Sequence, residues 1–384
     1  MDQSNPPKLI AFNLPQYHPI PENDEWWGKG FTEWTNVVKA RPLFKGHYQP
    51  QLPADLGFYD LRLAETREAQ AKLAREYGIH GFCYYHYWFN GHRLLERPVD
   101  EIVASGKPNF PFCLCWANEN WTRVWDGGES QILMQQAYSD EDDLNHIRAL
   151  LPILTDRRYI KVDGKPVFLV YRATRLPDPR RTIRTWRQEA DKAGLPGLYL
   201  LRVESFLDEE GDPRQLGFDA ALEFQPRWGI LHGMRNHGWK WWRRATLGKL
   251  QSVYVLNAVR LYDHLVERAI AMEHPSYPWI RCVCPGWDNT ARRPERGATV
   301  LHASTPDSYQ RWLSYVIQQT AGQSSATTQI PHFVFINAWN EWAEGNHLEP
   351  CQRWGRSFLE ATIRALYECG THSRADQEAL IESH

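Results

Sequence analysis

The chain has 384 residues, enough for one large α/β barrel or for two domains. Its 44 basic and 46 acidic side chains give a formal charge of -2, which leaves no global field to gather nucleic acid. No apolar run approaches the ~20 residues of a membrane span, and the polar stretch Met1–Pro7 has no signal-peptide core, so the sequence reads as cytoplasmic with no integral membrane segment.

Short apolar runs recur along the chain, and most end in polar or aromatic residues. The first, residues 8–13, leads into Pro15, Gln16, Tyr17 and His18. A long connection follows, with Trp26, Trp27 and the stretch Phe31-Thr32-Glu33-Trp34, and then helical spacing over 61–77. Run 81–85 ends in His86-Tyr87-Trp88-Phe89-Asn90, before a helix over 94–104. Run 110–115 ends in Trp116-Ala117-Asn118-Glu119, and Ser139 is placed to cap a helix over 140–154. Run 167–170 ends in Tyr171-Arg172, before a helix over 181–193 that stops at Gly194. Run 198–201 ends in Arg202-Val203-Glu204, before a short helical piece around 213–216.

Run 220–224 opens a second long connection, 227–255, which is basic and carries Trp239, Trp241 and Trp242. A helix is expected over 250–272. Run 280–284 ends in Trp287-Asp288-Asn289, before a helix over 309–320. Run 333–336 leads into Asn337-Ala338-Trp339-Asn340-Glu341-Trp342-Ala343-Glu344, with Glu349-Pro350 just beyond and a helix over 357–369. Eight runs with helical material between them predict a (β/α)₈ barrel with long βα loops, as a single catalytic domain over 1–384. A doubly wound open sheet is the alternative. Such barrels carry their chemistry at the C-terminal strand ends, where this chain sets its polar aromatics.

There are 18 Trp, 17 Tyr and 15 Phe, 13% of the chain. About half belong in the core on this reading. The rest sit beside Asn, Glu, Asp and His, as ring faces in a sugar-binding cleft would. Glu341 and Glu344 are the candidate catalytic residues. On one helical turn they share a face, and two carboxylates facing one cavity separate into a base and a protonated acid. A pair of favourable acids at a helix start is the bland alternative. Candidate sugar contacts are Tyr17, His18, Trp34, His86, Trp88, Trp116, Asn118, Glu119, Tyr171, Glu204, Trp287, Asp288, Asn340, Trp342 and Glu349. Strand alternation sets Tyr84, His86 and Trp88 on one face, and Trp88, Trp116 and Trp287 are expected to line one cleft.

Seven cysteines include two Cys-x-Cys pairs inside predicted strands, which suits small buried side chains better than zinc. Asp140-Glu141-Asp142 has an Asp-x-Asp pattern but opens a helix, where acids are expected anyway. No nucleotide or nucleophile-elbow motif is visible, so neither metal nor cofactor is expected.

Asn340-Glu341-Trp342-Ala343-Glu344-Gly345 with Leu348-Glu349-Pro350 resembles the signature of the glycoside hydrolase family 99 endo-α-mannosidases. Phe12–His18, Phe31–Trp34, Tyr84–Trp88 and Trp116–Glu119 resemble more closely the WbsX-type branch, found with bacterial surface-polysaccharide genes and often labelled glycosyltransferases. The likeness runs from Leu9 to about Leu366. It implies a barrel and a retaining mechanism without an enzymatic nucleophile. One glutamate, matching Glu341, takes the proton of the sugar's 2-hydroxyl, which attacks the anomeric carbon to give a 1,2-anhydro sugar. The other, matching Glu344, protonates the leaving oxygen and then activates water. The motif departs from family 99 at Ala343, where a histidine is common.

The expected function is therefore a retaining α-glycosidase acting on mannose or D-rhamnose-like residues of a bacterial surface polysaccharide such as an O-antigen, with carbohydrate as its partner. A glycosyltransferase in polysaccharide assembly and a non-catalytic glycan-binding barrel are the rivals.

Overall fold

A computed structural model describes residues 7–123, 128–234, 236, 256–293, 296–322 and 330–369. Eight strands, β1 (Lys8–Asn13), β2 (Ile79–Phe89), β3 (Phe112–Trp116), β4 (Lys165–Val170), β5 (Tyr199–Glu204), β6 (Ala220–Glu223), β7 (Trp279–Val283) and β8 (Phe333–Ile336), each pair in parallel with the next. Strand β8 then pairs with β1, Lys8 to Ala11 against Phe333 to Ile336. That last pairing closes the sheet, so the architecture is a parallel barrel and not an open doubly wound sheet.

Both faces of the strands are covered, which is why they read as continuous apolar runs. On the inside, Phe12 packs against Tyr85, Phe224 and Phe335 at centroid distances of 5.5, 5.3 and 5.6 Å. On the outside lie α1 (Ala64–Glu76), α2 (Arg97–Ser105), α3 (Asp140–Leu154), α4 (Pro179–Lys192), α5 (Tyr262–Ile270), α6 (Pro306–Gly322) and α7 (Ser357–Glu368). Between β5 and β6 a 3-10 turn, Pro213–Leu216, takes the place of a helix.

Local chemistry sets the helix ends. The Ser139 side chain accepts from the Asp142 N–H and caps α3, and Asp178 does the same for α4 through the Arg181 N–H. Helix α2 starts later than its apolar pattern suggests, because β2 runs on to Phe89 and turns back through an antiparallel pairing with His92–Leu94. Of the helix expected over 250–272, residues 250–255 lie outside the described residues; Ala258–Leu261 is a strand paired with Thr299–His302, and Tyr262–Ile270 is helical. The tryptophans 239, 241 and 242 lie outside the described residues. All seven cysteines are free, and six of them are buried.

Gly81 shows how tightly the barrel is packed. A Cβ there would lie 2.7 Å from the Pro111 carbonyl oxygen and 2.9 Å from Ile160 Cδ1. Gly81→Ala is expected to destabilise the fold by about 1–3 kcal/mol through overpacking. Denaturant unfolding should show a lower midpoint at an unchanged slope.

Candidate active site

Beyond β8 the chain forms a small hairpin. Asn340–Glu341 pairs antiparallel with Asn346–His347 across the 3-10 turn Trp342–Glu344. Gly345 ends the turn at φ +55°, and a Cβ there would come 2.9 Å from the Asp288 Cβ. The turn sends Trp342 backwards. Its ring stacks on His347 at 3.8 Å and its Nε1 donates to Glu349 Oε2 at 2.7 Å.

The hairpin is held from behind by buried polar groups. Asn340 Oδ1 accepts from the Leu14 N–H at 2.7 Å, and its Nδ2 donates to the Leu14 carbonyl at 3.0 Å and to the Tyr59 hydroxyl at 3.2 Å. The Tyr17 hydroxyl donates to the Asn340 carbonyl and accepts from the Trp342 N–H. Trp34 packs against Tyr17 and Trp342, and its Nε1 donates to the Tyr59 carbonyl. Glu349 accepts from the Tyr59 hydroxyl, Gln70 Nε2 and Trp342 Nε1.

Glu341 and Glu344 point forwards, into a cleft of about 550 Å³ at the C-terminal mouth of the barrel. Aromatic walls come from Tyr85, Tyr87, Trp121, Tyr171, Trp228 and Trp287. One guanidinium joins the acids. Arg292 donates through Nη1 to Glu344 Oε1, through Nη2 to Glu341 Oε2 at 3.2 Å, and through Nε and Nη2 to Glu33 Oε1. Burial, then the charge of Glu344, pushes Glu341 well above the usual carboxylate range against the pull of Arg292. Burial also raises Glu344, with Arg292 opposing. The pair is therefore set up to share one proton.

Of the sugar contacts expected from sequence, Glu119, Tyr171 and Trp287 line this cleft with the two glutamates. Tyr17, Trp34, Asn340, Trp342 and Glu349 form the support behind the hairpin. The strand-two face is the reverse of the expected one. Tyr85 and Tyr87 look into the mouth, whereas His86 and Trp88 look outward at α3. There His86 Nε2 meets His146 Nε2 at 2.9 Å, and Trp88 Nε1 donates to Asp142 while its ring stacks on His146. Trp116 packs on His146 and Trp186. Burial holds His86 at about 3, as expected of a neutral core imidazole. Of Trp88, Trp116 and Trp287, then, Trp287 alone reaches the cleft.

The remaining candidates are also elsewhere. Asn118 ties down Arg172, accepting from its N–H and donating to its carbonyl. Glu204 is buried against Arg202, Tyr277 and Trp279. His18 is buried, and desolvation lowers it to about 4. The Asp288 carboxylate holds His47 Nε2 at 2.6 Å and Gln49 Nε2 at 2.7 Å, while its N–H donates to the Glu344 carbonyl. It supports the turn and stands outside the cleft. Sequence reasoning missed Arg292, which lies in no recognisable pattern, and Glu33, whose motif was visible but whose partner was not. Among the described residues no cluster of three or more His, Cys, Asp or Glu could hold a metal.

A family model described as Glycosyltransferase WbsX matches residues 9–362, and the chain belongs to that family. A curated relative named "Uncharacterized protein WxcX", from Xanthomonas campestris pv. campestris, is 43% identical over 366 residues. The match covers 95% of this chain and 50% of the relative, so the chain spans about half the length of the curated relatives it matches. Among solved structures, a "Glycoside hydrolase-like protein" is similar at a TM-score of 0.57 and 13% identity, covering 95% of each chain. The GH99 endo-alpha-mannosidase from Bacteroides thetaiotaomicron, in complex with BIS-TRIS-Propane, is similar at 0.56 and 15% identity, covering 96% of this chain and 98% of that one. At such identities the likeness shows a shared fold.

Glu349 supplies a test of the support. Burial raises its carboxyl from 4.5 to about 7. A raised acid holds its proton more tightly when folded, so its stabilising contribution is complete below about 4.5 and is lost as pH rises through about 7. Glu349→Gln should flatten the decline of thermal stability across that window, by up to ~1.4 kcal/mol per pH unit. Below about pH 4.5 it should also lower stability by about 1–3 kcal/mol, since one amide oxygen cannot accept from three donors, and that deficit should shrink as pH rises through the window.

Proposed function

We propose that this chain is a retaining α-glycosidase acting on manno-configured sugars of a bacterial surface polysaccharide. The observation that carries the reading is the Glu341 and Glu344 pair, joined by one guanidinium in an aromatic-walled cleft at the mouth of a barrel. In this reading Glu341 takes the 2-hydroxyl proton as that oxygen attacks the anomeric carbon, and Glu344 gives its proton to the departing oxygen. The product is a 1,2-anhydro sugar. Glu344, now anionic, draws a proton from water, whose oxygen opens the epoxide at the anomeric carbon while Glu341 returns its proton to O2. Two inversions give net retention. Mannose and D-rhamnose fit because their axial 2-hydroxyl lies trans to an α-linked leaving group.

The mechanism needs the shared proton on Glu344 when sugar is bound. In the free cleft burial raises both acids against the pull of Arg292. A 2-hydroxyl donating to Glu341 stabilises its anion and so favours the proton on Glu344.

The family's description favours a second reading, glycosyl transfer from a sugar nucleotide. The cleft's charges oppose it. Arg292 is already engaged by three carboxylates, so an incoming diphosphate would meet anions. Incubation with manno-configured polysaccharides and, separately, with sugar nucleotides tests both: shortened glycan supports hydrolysis, and released nucleoside diphosphate supports transfer.

The division of labour predicts an asymmetry between two variants. Glu341→Gln should slow every substrate by about 10²–10⁴. Glu344→Gln should slow natural linkages similarly yet largely spare bond cleavage in dinitrophenyl glycosides, whose leaving group needs little protonation. A 2-deoxy substrate should not turn over. Its rapid hydrolysis, or a glycosyl ester trapped on either glutamate, would overturn the epoxide route.

A further inference from the structure

Glu33 reaches the catalytic mouth from the far end of the chain. It opens the short helix Glu33–Val37, in the loop after β1, and its side chain is fully buried. Oε1 takes two of Arg292's donors, Nε and Nη2, at 2.8 and 2.5 Å. Oε2 is buried and has no hydrogen-bond partner among the described residues. A buried carboxylate with one idle oxygen is costly in a fold. Its contacts here lead through Arg292 to Glu341 and Glu344.

We propose that Glu33 is a positioning residue for the acid pair: it holds Arg292 and draws on that cation's charge, so that Glu341 and Glu344 keep one proton between them. The inference deepens the glycosidase reading and rests on it for its biological meaning. The charge argument is simple. One guanidinium facing two carboxylates would let both ionise more readily, which would leave no acid to protonate a leaving oxygen. A third carboxylate on the same guanidinium leaves the site short of positive charge. Retaining a proton then costs less than holding three anions around one cation.

The geometry also fixes where that charge sits. Glu33 grips the Nε edge and Nη2, which turns Nη1 toward Glu344. The same grip leaves Glu341 the longer contact, 3.2 Å through a shared Nη2. The other groups facing the cluster are Arg293, whose charge acts on Glu344, and the phenols of Tyr17, Tyr85, Tyr87 and Tyr171. Burial pushes all four phenols upward, so they stay neutral through the relevant range and leave the balance to Arg293, Arg292 and the three acids.

Infrared titration of the intact chain, from about pH 4 to about pH 9, tests this without a sugar, because protonated carboxyls have their own carbonyl band. Glu349 and Asp143 also titrate high, at about 7 and about 6, so the band of the pair is identified as the one lost in Glu341→Gln and Glu344→Gln. In Glu33→Gln that band should titrate about 1–3 pH units lower, since Arg292's charge then falls on the pair. Glu33→Asp, which keeps the charge, should restore a midpoint near that of the unaltered chain. A folded Glu33→Gln protein with an unmoved midpoint overturns the proposal. Should that variant not fold, Arg292→Gln serves instead. Three carboxylates without their cation should hold the proton to higher pH, and an unchanged titration there also overturns it. The band and the sugar assay are separate readouts: a shifted band without glycan cleavage sinks the glycosidase reading alone, and cleavage with an unmoved band sinks this inference alone.

Discussion

The mouth of the barrel is organised around one cation outnumbered by carboxylates. At 4 Å two unit charges interact with about 4 kcal/mol in a partly buried setting, so three carboxylates around Arg292 cannot all be anions cheaply. Their bearers come from three separate segments. Glu33 follows β1, Arg292 follows β7, and Glu341 and Glu344 follow β8. In the closed sheet β7, β8 and β1 are neighbours, so the pairing of β8 with β1 is also what brings Glu33 beside Arg292. In an open sheet with β1 at one edge and β8 at the other, the four residues would not meet. Closure of the barrel and the charge state of the site are one constraint seen at two scales.

Repulsion within the cluster must be resisted by the rest of the hairpin. The turn Trp342–Glu344 is only three residues long, with Glu341 just before it at the end of a two-residue strand. Its rigidity comes from the back, where Asn340, Tyr17, Tyr59 and Glu349 exchange hydrogen bonds with the start of the chain and with α1. Such networks specify one geometry when every member is satisfied and are costly when one is removed. The indole of Trp342 joins both layers, stacking on His347 and donating to Glu349. That explains why the residues around the acids are amides and aromatics: most of them face the support and not the cleft.

The same point accounts for what the sequence disclosed and what it concealed. The barrel was legible because each strand is buried on both faces and ends in polar residues, a pattern that depends on local composition. All eight runs lie in barrel strands, with ends shifted by a few residues at most, as at Phe112–Trp116 and Tyr199–Glu204. The turn with Glu341 and Glu344 was legible as a place where an apolar strand gives way to carboxylates. Composition says nothing about which alternate face of a strand turns inward. In Tyr84-Tyr85-His86-Tyr87-Trp88 both faces are aromatic, and a one-residue change of phase exchanges all of them. Tyr85 and Tyr87 line the cleft, while His86 and Trp88 pack on His146 beneath α3.

Arg292 marks a different limit. Its importance comes from three partners that lie 259, 49 and 52 residues away in the chain, so no local spacing carries it. Glu33 stood inside a motif that was noticed, yet its meaning depended on that arginine. Local pattern can nominate a pair of acids, because two carboxylates at short spacing are conspicuous. It cannot say what holds their proton. That is decided by how many further charges the fold delivers to the same guanidinium, a property of barrel closure that appears only once β1 and β8 are side by side.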